Sequence, residues 1–321
     1  MVQLEIVDDE AGLREFRPEW GRFLEAYPAP TPFQTPEWLI TWWKHFGSGR
    51  LRTLIFREDG QAAGVLPCFV HEWNGRRQIT LVGTGISDYA DPVFAPHRIN
   101  EIIECARAQL MEWSDWDVCL WQDLSDHTPL RALGAVQPDI PCSGIVIDQT
   151  YEAFLAGRPK DLRRNLRRYR EKAEHIAPVR FDAADFMNAE SMDALVALHR
   201  ARWEKAGESG MIEANRSEAF LREVTEVLGA RGSLKVFTVR FGGAIAAILL
   251  ALHDNSTIFS YLSAFDPQHE CFGFGRELLA EALRYAHEDG YRWWNFLRGD
   301  EAYKFSWGAQ PIAKCRVVIE R

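Results

Sequence analysis

The chain has 321 residues, of which 47% are hydrophobic and 26% charged, and its formal net charge is −9. This length is enough for two ordinary hydrophobic cores, and the composition is typical of a globular protein. The negative charge excludes a protein that coats nucleic acid over its whole surface, so any polyanion must bind locally. The longest apolar run, residues 244–252, is too short to span a bilayer, and the first residues lack the pattern of a secretory signal.

The six cysteines do not form a CxxC pair. Cys68, Cys119 and Cys315 lie in apolar, strand-like segments, which predicts buried free thiols. We therefore expect no metal site and a reducing, cytoplasmic location.

The first half of the chain contains five predicted elements in a definite order. A hairpin with Asp59-Gly60 at its turn is followed by a third strand, an Asp-Pro step, a helix and a Trp-containing strand. These elements occupy residues 52–70, 77–83, 91–92, 100–113 and 116–121.

The second half repeats this order, with Gly242-Gly243 at the hairpin turn and two further helices in front. The repeated elements occupy residues 235–253, 256–265, 266–267, 275–288 and 292–297, and the leading helices occupy residues 190–207 and 217–230. Because the same order occurs twice, we interpret the chain as two copies of one α/β unit with a mixed (α+β) sheet, residues 1–150 and 151–321.

A glycine-rich segment, residues 272–279, opens the helix that precedes the last Trp-containing strand. Free backbone N–H groups and the helix dipole favour an anion at such a helix start. Polar residues after the following strand lie at the carboxyl edge of the sheet, where α/β folds place ligands. The pattern predicts an acyl-CoA or nucleotide site in the second unit.

Four segments together resemble one branch of the GNAT acetyltransferase superfamily, the CelD-like branch associated with cellulose and exopolysaccharide biosynthesis. They are residues 87–92, 160–174, 198–207 and 296–309. The resemblance implies a tandem GNAT fold and transfer of an acyl group from acyl-CoA to an amine or hydroxyl of a small molecule or saccharide precursor. The FemAB-type aminoacyl transferases share the tandem arrangement.

The resemblance also implies that acetyl-CoA or another acyl-CoA binds the second unit, whereas the first unit is non-catalytic. The end of the third strand would pair with the pantetheine arm, and the glycine-rich helix start would face the pyrophosphate. The alternative is that the glycines only make a tight turn. The residues assigned to the cofactor are Leu262, Ser263, Ala264, Gly273, Gly275 and Arg276.

The segment after the last Trp-containing strand supplies the candidate catalytic residues. Tyr303 would donate a proton to the leaving thiolate, since its high pKa keeps the hydroxyl protonated at neutral pH. The alternative is a tyrosine packed for its ring. Asp300 would orient the acceptor or act as a base, although an N-cap role explains it equally well. Arg298 would bind an acidic acceptor or form a surface ion pair.

One helix carries a candidate acceptor site. His199, Arg202 and Trp203 are spaced i, i+3 and i+4, so they share a face. In GNAT folds this helix and the loop after it, here residues 207–216, line the acceptor pocket. The alternative is a core-facing tryptophan with a packed histidine.

The densest charge lies in residues 158–174, which predict a single helix with Arg163, Arg167 and Arg170 on one face. Three interpretations remain open: pairing with acidic neighbours, binding the CoA 3′-phosphate or an anionic acceptor, or binding tRNA. The tRNA interpretation belongs to a FemAB-like aminoacyl transferase. A catalytically silent binding or assembly module is a further alternative to the enzyme.

Overall fold

The computed structural model describes residues 1–27, 31–207, 212 and 215–321. It contains two compact units: unit 1 comprises Met1–Pro141 with Ala313–Arg321, and unit 2 comprises Cys142–Ile312. This division differs from the boundary expected after residue 150. A strand before that position pairs within unit 2, and a strand near the C-terminus pairs within unit 1.

In the described part of unit 1, the chain up to Pro141 forms nine strands and three helices. The strands are β1 (Gln3–Val7), β2 (Arg50–Leu51), β3 (Thr53–Glu58), β4 (Gln61–Leu66), β5 (Cys68–Trp73), β6 (Arg76–Leu81), β7 (Val93–Phe94), β8 (Val118–Ser125) and β9 (Ala135–Pro138). The helices are α1 (Glu10–Ala26), α2 (Pro36–Phe46) and α3 (Ile99–Glu112), with short 3₁₀ turns at Pro32–Gln34, Pro96–Arg98 and Pro129–Ala132.

The described residues of unit 2 form seven strands and six helices. The strands are β10 (Cys142–Val146), β11 (Val179–Ala184), β12 (Leu234–Phe241), β13 (Ala244–His253), β14 (Thr257–Phe265), β15 (Trp293–Arg298) and β16 (Gln310–Ile312). The helices are α4 (Tyr151–Ala156), α5 (Lys160–Glu174), α6 (Ala189–Ala206), α7 (Asn215–Arg231), α8 (Phe274–Glu288) and α9 (Ala302–Ser306), and a 3₁₀ helix spans Pro267–Phe272.

The chain then returns to unit 1 as β17 (Lys314–Glu320). In unit 1 the strand order is β1-β3-β4-β7 in one sheet and β2-β5-β6-β8-β17-β9 in the other. In unit 2 a single seven-stranded sheet has the order β11-β12-β13-β14-β15-β10-β16. Each unit contains one parallel pair, β6 with β8 and β14 with β15, in sheets that are otherwise antiparallel.

The two predicted hairpins are present, and both turns use positive φ angles, at Asp59-Gly60 and at Gly242-Gly243. The two hairpins differ in one respect that was not predicted from the sequence. In unit 1 the second strand ends before Pro67, and the chain continues as β5 in the other sheet. Proline has no N–H for a strand ladder, so it is the natural place for this break. The corresponding strand of unit 2, β13, is continuous.

Each unit buries its own core, and the tryptophans predicted to lie in strands contribute to both. Trp121 on β8 and Trp294 on β15 are fully buried. Cys68, Cys119 and Cys315 are buried free thiols, as predicted. Within the ranges given above, the helices all fall short of the length and apolarity that a bilayer crossing requires.

We predict that β17 contributes strongly to the stability of unit 1. Val317 is 0% exposed and pairs with Val136, which is 37% exposed. Val317→Ala should lower the free energy of unfolding by about 2 kcal/mol, because it removes buried apolar surface and leaves a cavity. Val136→Ala is the matched control and should cost less than about 0.5 kcal/mol. Urea unfolding followed by tryptophan fluorescence measures both, and equal midpoints would contradict the prediction.

Candidate functional site

Unit 2 contains a cavity of about 540 Å³ at the place where β14 and β15 separate. The parallel ladder between the two strands has only three residue pairs, from Thr257 with Trp293 to Phe259 with Asn295. Beyond these pairs, β14 continues its ladder with β13, which has an irregularity between Ser260 and Leu262. The two strands therefore form an opening whose walls include backbone.

The cavity gathers seven of the twelve residues that the sequence singled out. They are Arg202, Ser263, Ala264, Gly273, Gly275, Arg276 and Tyr303. Leu262 pairs with Leu250 of β13 and lies outside the described lining, and its predicted contact with the cofactor stays a prediction. His199, Trp203, Arg298 and Asp300 also lie outside the lining formed by the described residues.

The start of α8 forms one end of the cavity. Gly273 precedes the helix with φ +62°, and no side chain caps the helix. The N–H groups of Arg276 and Glu277 both donate to the Gly273 carbonyl, at 2.9 and 3.1 Å. The N–H groups of Phe274 and Gly275 precede these bonds, so they are the donors available to an anion.

Both glycines also lie close to aromatic rings. A Cβ on Gly273 would lie 2.8 Å from the ring of Tyr169, and one on Gly275 would lie 3.0 Å from the ring of Phe265. The tight-turn explanation of the glycines is therefore correct for the backbone. It is compatible with anion binding, because close packing and a positive φ are what leave the N–H groups uncovered.

The charged residues of the lining are of both signs. Arg202 and Arg276 are exposed to the cavity, and the guanidinium of Arg202 lies 5.2 Å from the ring centre of Phe265. Glu270 also lines the cavity, and its carboxylate pairs with Lys205 of α6 at 2.6 Å. This ion pair offsets the one acidic group that would repel a phosphate there.

Tyr303 lies in the first turn of α9 and lines the cavity, with half of its surface exposed. Its ring meets that of Phe296 edge-on, with centroids 6.1 Å apart. Burial, and secondly the negative charge of Glu301, raise the pKa of the Tyr303 phenol to about 12. The hydroxyl therefore keeps its proton at neutral pH and acts as a hydrogen-bond donor.

Asp300 is not the N-cap of α9, contrary to one of its predicted roles. Glu301 occupies the N-cap position, without a side-chain capping bond, and Asp300 is exposed. The helix begins one residue later than expected, because the preceding residues are taken up by the corner after β15.

Lys304, which was not among the predicted site residues, organises the corner after β15. Its side chain is almost fully buried, and its ammonium donates to the carbonyl oxygens of Arg298 at 2.7 Å and Gly299 at 3.3 Å. It also pairs with Glu301 at 2.8 Å. The backbone here is unusual, with φ +61° at Leu297, a residue that rarely adopts this conformation. Lys304 therefore satisfies the carbonyls that the corner turns inward.

His199 and Trp203 form a packed pair. The indole N–H of Trp203 donates to Nε2 of His199 at 2.9 Å, so this ring nitrogen is the unprotonated one. Burial lowers the pKa of His199 to about 4, and the charges of Arg202 and Arg200 contribute in the same direction. This neutral histidine serves packing, the alternative that the sequence left open. Of the predicted loop 207–216, residues 208–211 and 213–214 lie outside the described residues.

The basic helix α5 pairs part of its charge within unit 2. Arg170 donates to Glu277 at 2.5 Å and to Glu281 at 3.1 Å, and it also pairs with Glu174 on its own helix. The charge of Arg170 is therefore offset by carboxylates of unit 2. Arg163 remains exposed, and its Nε donates to a backbone carbonyl.

These features define a class. In unit 2, a mixed sheet opens between the parallel strands β14 and β15, and the opening ends at helix α8, which begins after Gly273. Unit 1 has the same order of the predicted elements. Residues 160–305 match the family model described as an acetyltransferase (GNAT) domain. No curated protein sequence is significantly similar to the chain.

Several solved structures share the fold over nearly the whole length. FemX has a TM-score of 0.65 and 12% identity, covering 94% of this chain and 96% of FemX. The tandem GNAT protein from the clavulanic acid biosynthesis pathway has a TM-score of 0.53 and 14% identity, covering 99% and 98%. L-PGS from Bacillus licheniformis has a TM-score of 0.58 and 13% identity, covering 93% and 90%.

Residues 160–305 therefore match a GNAT acetyltransferase domain, and the chain as a whole shares its tandem fold with FemX and with the clavulanic acid pathway protein. The fold predicted from the sequence is thereby confirmed. No group of His, Cys, Asp and Glu among the described residues is arranged to hold a metal ion.

We predict that Lys304 stabilises the corner that carries Tyr303. Lys304→Met keeps the length of the side chain but leaves the carbonyls of Arg298 and Gly299 without their donor. The cost should be about 1–3 kcal/mol of unfolding free energy, the desolvation penalty of buried unpaired groups. Lys160→Met, at an exposed position of α5, is the matched control and should change stability little. Equal urea midpoints for the two variants would show that the corner does not need the ammonium.

Proposed function

We propose that unit 2 binds an acyl-CoA and transfers its acyl group to an amine or hydroxyl of a small molecule or saccharide precursor. The observation that carries the proposal is the cavity between β14 and β15, which ends at the uncapped start of α8. Backbone left without a neighbouring strand suits the amides of a pantetheine arm, and the helix start suits a pyrophosphate. The GNAT domain match over the same residues supports it.

We assign roles in cofactor binding and in proton donation to residues that line the cavity. Ser263 and Ala264 on β14 would hold the pantetheine arm, and the N–H groups of Phe274 and Gly275 would hold the pyrophosphate. Tyr303, which lines the same cavity, would share its proton with the thiolate as the acyl group leaves. Asp300 is exposed and outside the lining, so we give it no part in the transfer.

We propose that unit 1 does not bind acyl-CoA. Its α3 follows the 3₁₀ turn Pro96–Arg98 and has no glycine-rich start. The acidic segment before it is used internally, since Asp91 accepts hydrogen bonds from the backbone N–H and the hydroxyl of Ser125 at 2.9 Å each. The six free thiols favour a reducing compartment such as the cytoplasm.

An aminoacyl-tRNA-dependent transfer is the second candidate. It is favoured by the fold shared with FemX and by the exposed arginines of α5, such as Arg163 and Arg167. A thermal-shift comparison of acetyl-CoA, longer acyl-CoAs and tRNA discriminates between the two. Stabilisation by tRNA alone would favour the second candidate, and stabilisation by none of them would favour a silent binding module.

We predict that a carboxylate at the start of α8 weakens acetyl-CoA binding. Gly275→Asp adds both a Cβ near Phe265 and a negative charge beside the pyrophosphate. Gly275→Ala adds the Cβ alone and is the matched control. The aspartate variant should bind about 1–3 kcal/mol more weakly than the alanine variant, because like charges repel in a partly buried site. Calorimetric titration with acetyl-CoA measures the difference, and equal affinities would remove the pyrophosphate assignment.

We predict that the Tyr303 hydroxyl accelerates transfer. Tyr303→Phe keeps the edge-on contact with Phe296 and removes the proton donor, so transfer should slow by roughly 10²–10⁴-fold. Tyr285→Phe, which removes a hydroxyl bonded to Lys235 on another part of unit 2, should leave the rate near normal. The readout is thiol release from acetyl-CoA with a panel of small amines and amino sugars, alongside melting temperatures. A Tyr303→Phe rate equal to that of the native protein would assign the hydroxyl a structural role.

A further inference from the structure

Helix α5 contributes an aromatic and cationic cluster beside the start of α8 that the proposed transfer chemistry does not use. The ring of Tyr169 packs so closely on Gly273 that a Cβ there would lie 2.8 Å from it. Two guanidinium groups lie over the same ring, with Cζ of Arg168 4.9 Å and Cζ of Arg276 5.9 Å from its centre. We call Arg168, Tyr169 and Arg276 the α5–α8 cluster.

The cluster is held to the cavity by both helices. Arg276 lies in the first turn of α8 and lines the cavity, and so does Leu162 of α5. Hydrogen bonding by Arg168, and to a lesser extent by Arg276, lowers the pKa of the Tyr169 phenol. Three groups from two helices therefore converge on one point next to the helix start.

The residues that the structure describes do not offset the charges of the cluster. Arg168 and Arg276 have no carboxylate within ion-pair distance among the residues that the structure describes. Their neighbours on α5 differ, because Arg170 contacts three glutamates and Arg164 pairs with Asp161 at 2.8 Å. Two adjacent cations repel one another unless an anion meets them, so an arrangement that leaves these two unpaired favours an anionic ligand.

We propose that the α5–α8 cluster binds a phosphomonoester, and that this group is the 3′-phosphate of CoA; the assignment rests on the proposed function. A phosphomonoester carries a charge near −2 at pH 7 and accepts several strong hydrogen bonds, which matches two guanidinium groups and a phenol. The start of α8 is left for the pyrophosphate, with Arg276 adjoining both groups. The cluster therefore selects CoA over thioesters that lack the 3′-phosphate.

The compactness of the cluster favours this ligand over an RNA backbone. A phosphodiester chain carries one charge per nucleotide and is bound by cations spread along a groove, usually with aromatic rings that stack on bases. Here the single ring, that of Tyr169, is packed against Gly273 and flanked by arginines. The hydroxyl of Tyr169 and the two guanidinium groups beside its ring suit one phosphate group.

The test compares CoA with dephospho-CoA, which differs only in lacking the 3′-phosphate, by calorimetric titration of the full chain. The native protein should bind CoA at least about tenfold more tightly, the effect of one or more charge-assisted hydrogen bonds. Arg168→Ala should bring the two dissociation constants together while leaving that for dephospho-CoA unchanged. Tyr169→Phe should reduce the preference and keep the ring on Gly273. Arg164→Ala removes a paired arginine from the same helix and should keep the full preference.

The outcomes separate this proposal from the proposed function. Equal binding of CoA and dephospho-CoA by the native protein would overturn the phosphomonoester site and leave the acyl-CoA function intact. Failure of both ligands to bind would overturn both. Weaker binding of tRNA to Arg168→Ala, with an unchanged preference for CoA, would assign Arg168 to RNA and also overturn the proposal.

Discussion

The site in unit 2 depends on a single constraint, the early separation of two neighbouring parallel strands. β14 and β15 pair over three residues and then part, although both continue for several residues more. Unpaired strand backbone is costly in a protein interior, because each N–H and C=O that leaves water needs a partner. Beyond Phe259 and Asn295 the two strands no longer share a ladder, and the cavity lies at this gap.

The corner after β15 shows how the gap is maintained. Leu297 takes a left-handed conformation, the following carbonyls turn inward, and the buried ammonium of Lys304 receives them. The same turn of chain places Tyr303 against the cavity. A backbone conformation, a buried charge and a candidate catalytic hydroxyl are thus coupled within eight residues. A substitution at any one of them is expected to be felt at the others.

Much of this architecture was predictable because it follows from local rules. Asp-Gly and Gly-Gly turns, alternating strands and a glycine-started helix led to the tandem fold, and seven of the nineteen described residues that line the cavity were among the predicted site residues. The burial of Lys304 was not predictable, because a lysine in a short helix is usually solvated. Only the folded corner brings the carbonyls of Arg298 and Gly299 to its ammonium. The break at Pro67 was visible in the sequence but its effect, a change of sheet, depends on tertiary pairing. The hydrogen bond that makes His199 a packing residue likewise required the folded helix.

The return of the chain to unit 1 through β17 has a consequence for the order of folding. Cys315 on β17 bonds to the carbonyl of Ser125 on β8, 190 positions earlier in the chain. Such pairings have high contact order, and their loop-closure entropy must be overcome late. On the ribosome, β8 and β9 emerge long before the strand that lies between them, and all of unit 2 is synthesised in the interval. Unit 2 is therefore able to fold before the sheet of unit 1 is complete, because β8 and β9 have no strand between them until β17 is synthesised. This order is the reverse of the usual one, in which the N-terminal unit folds first.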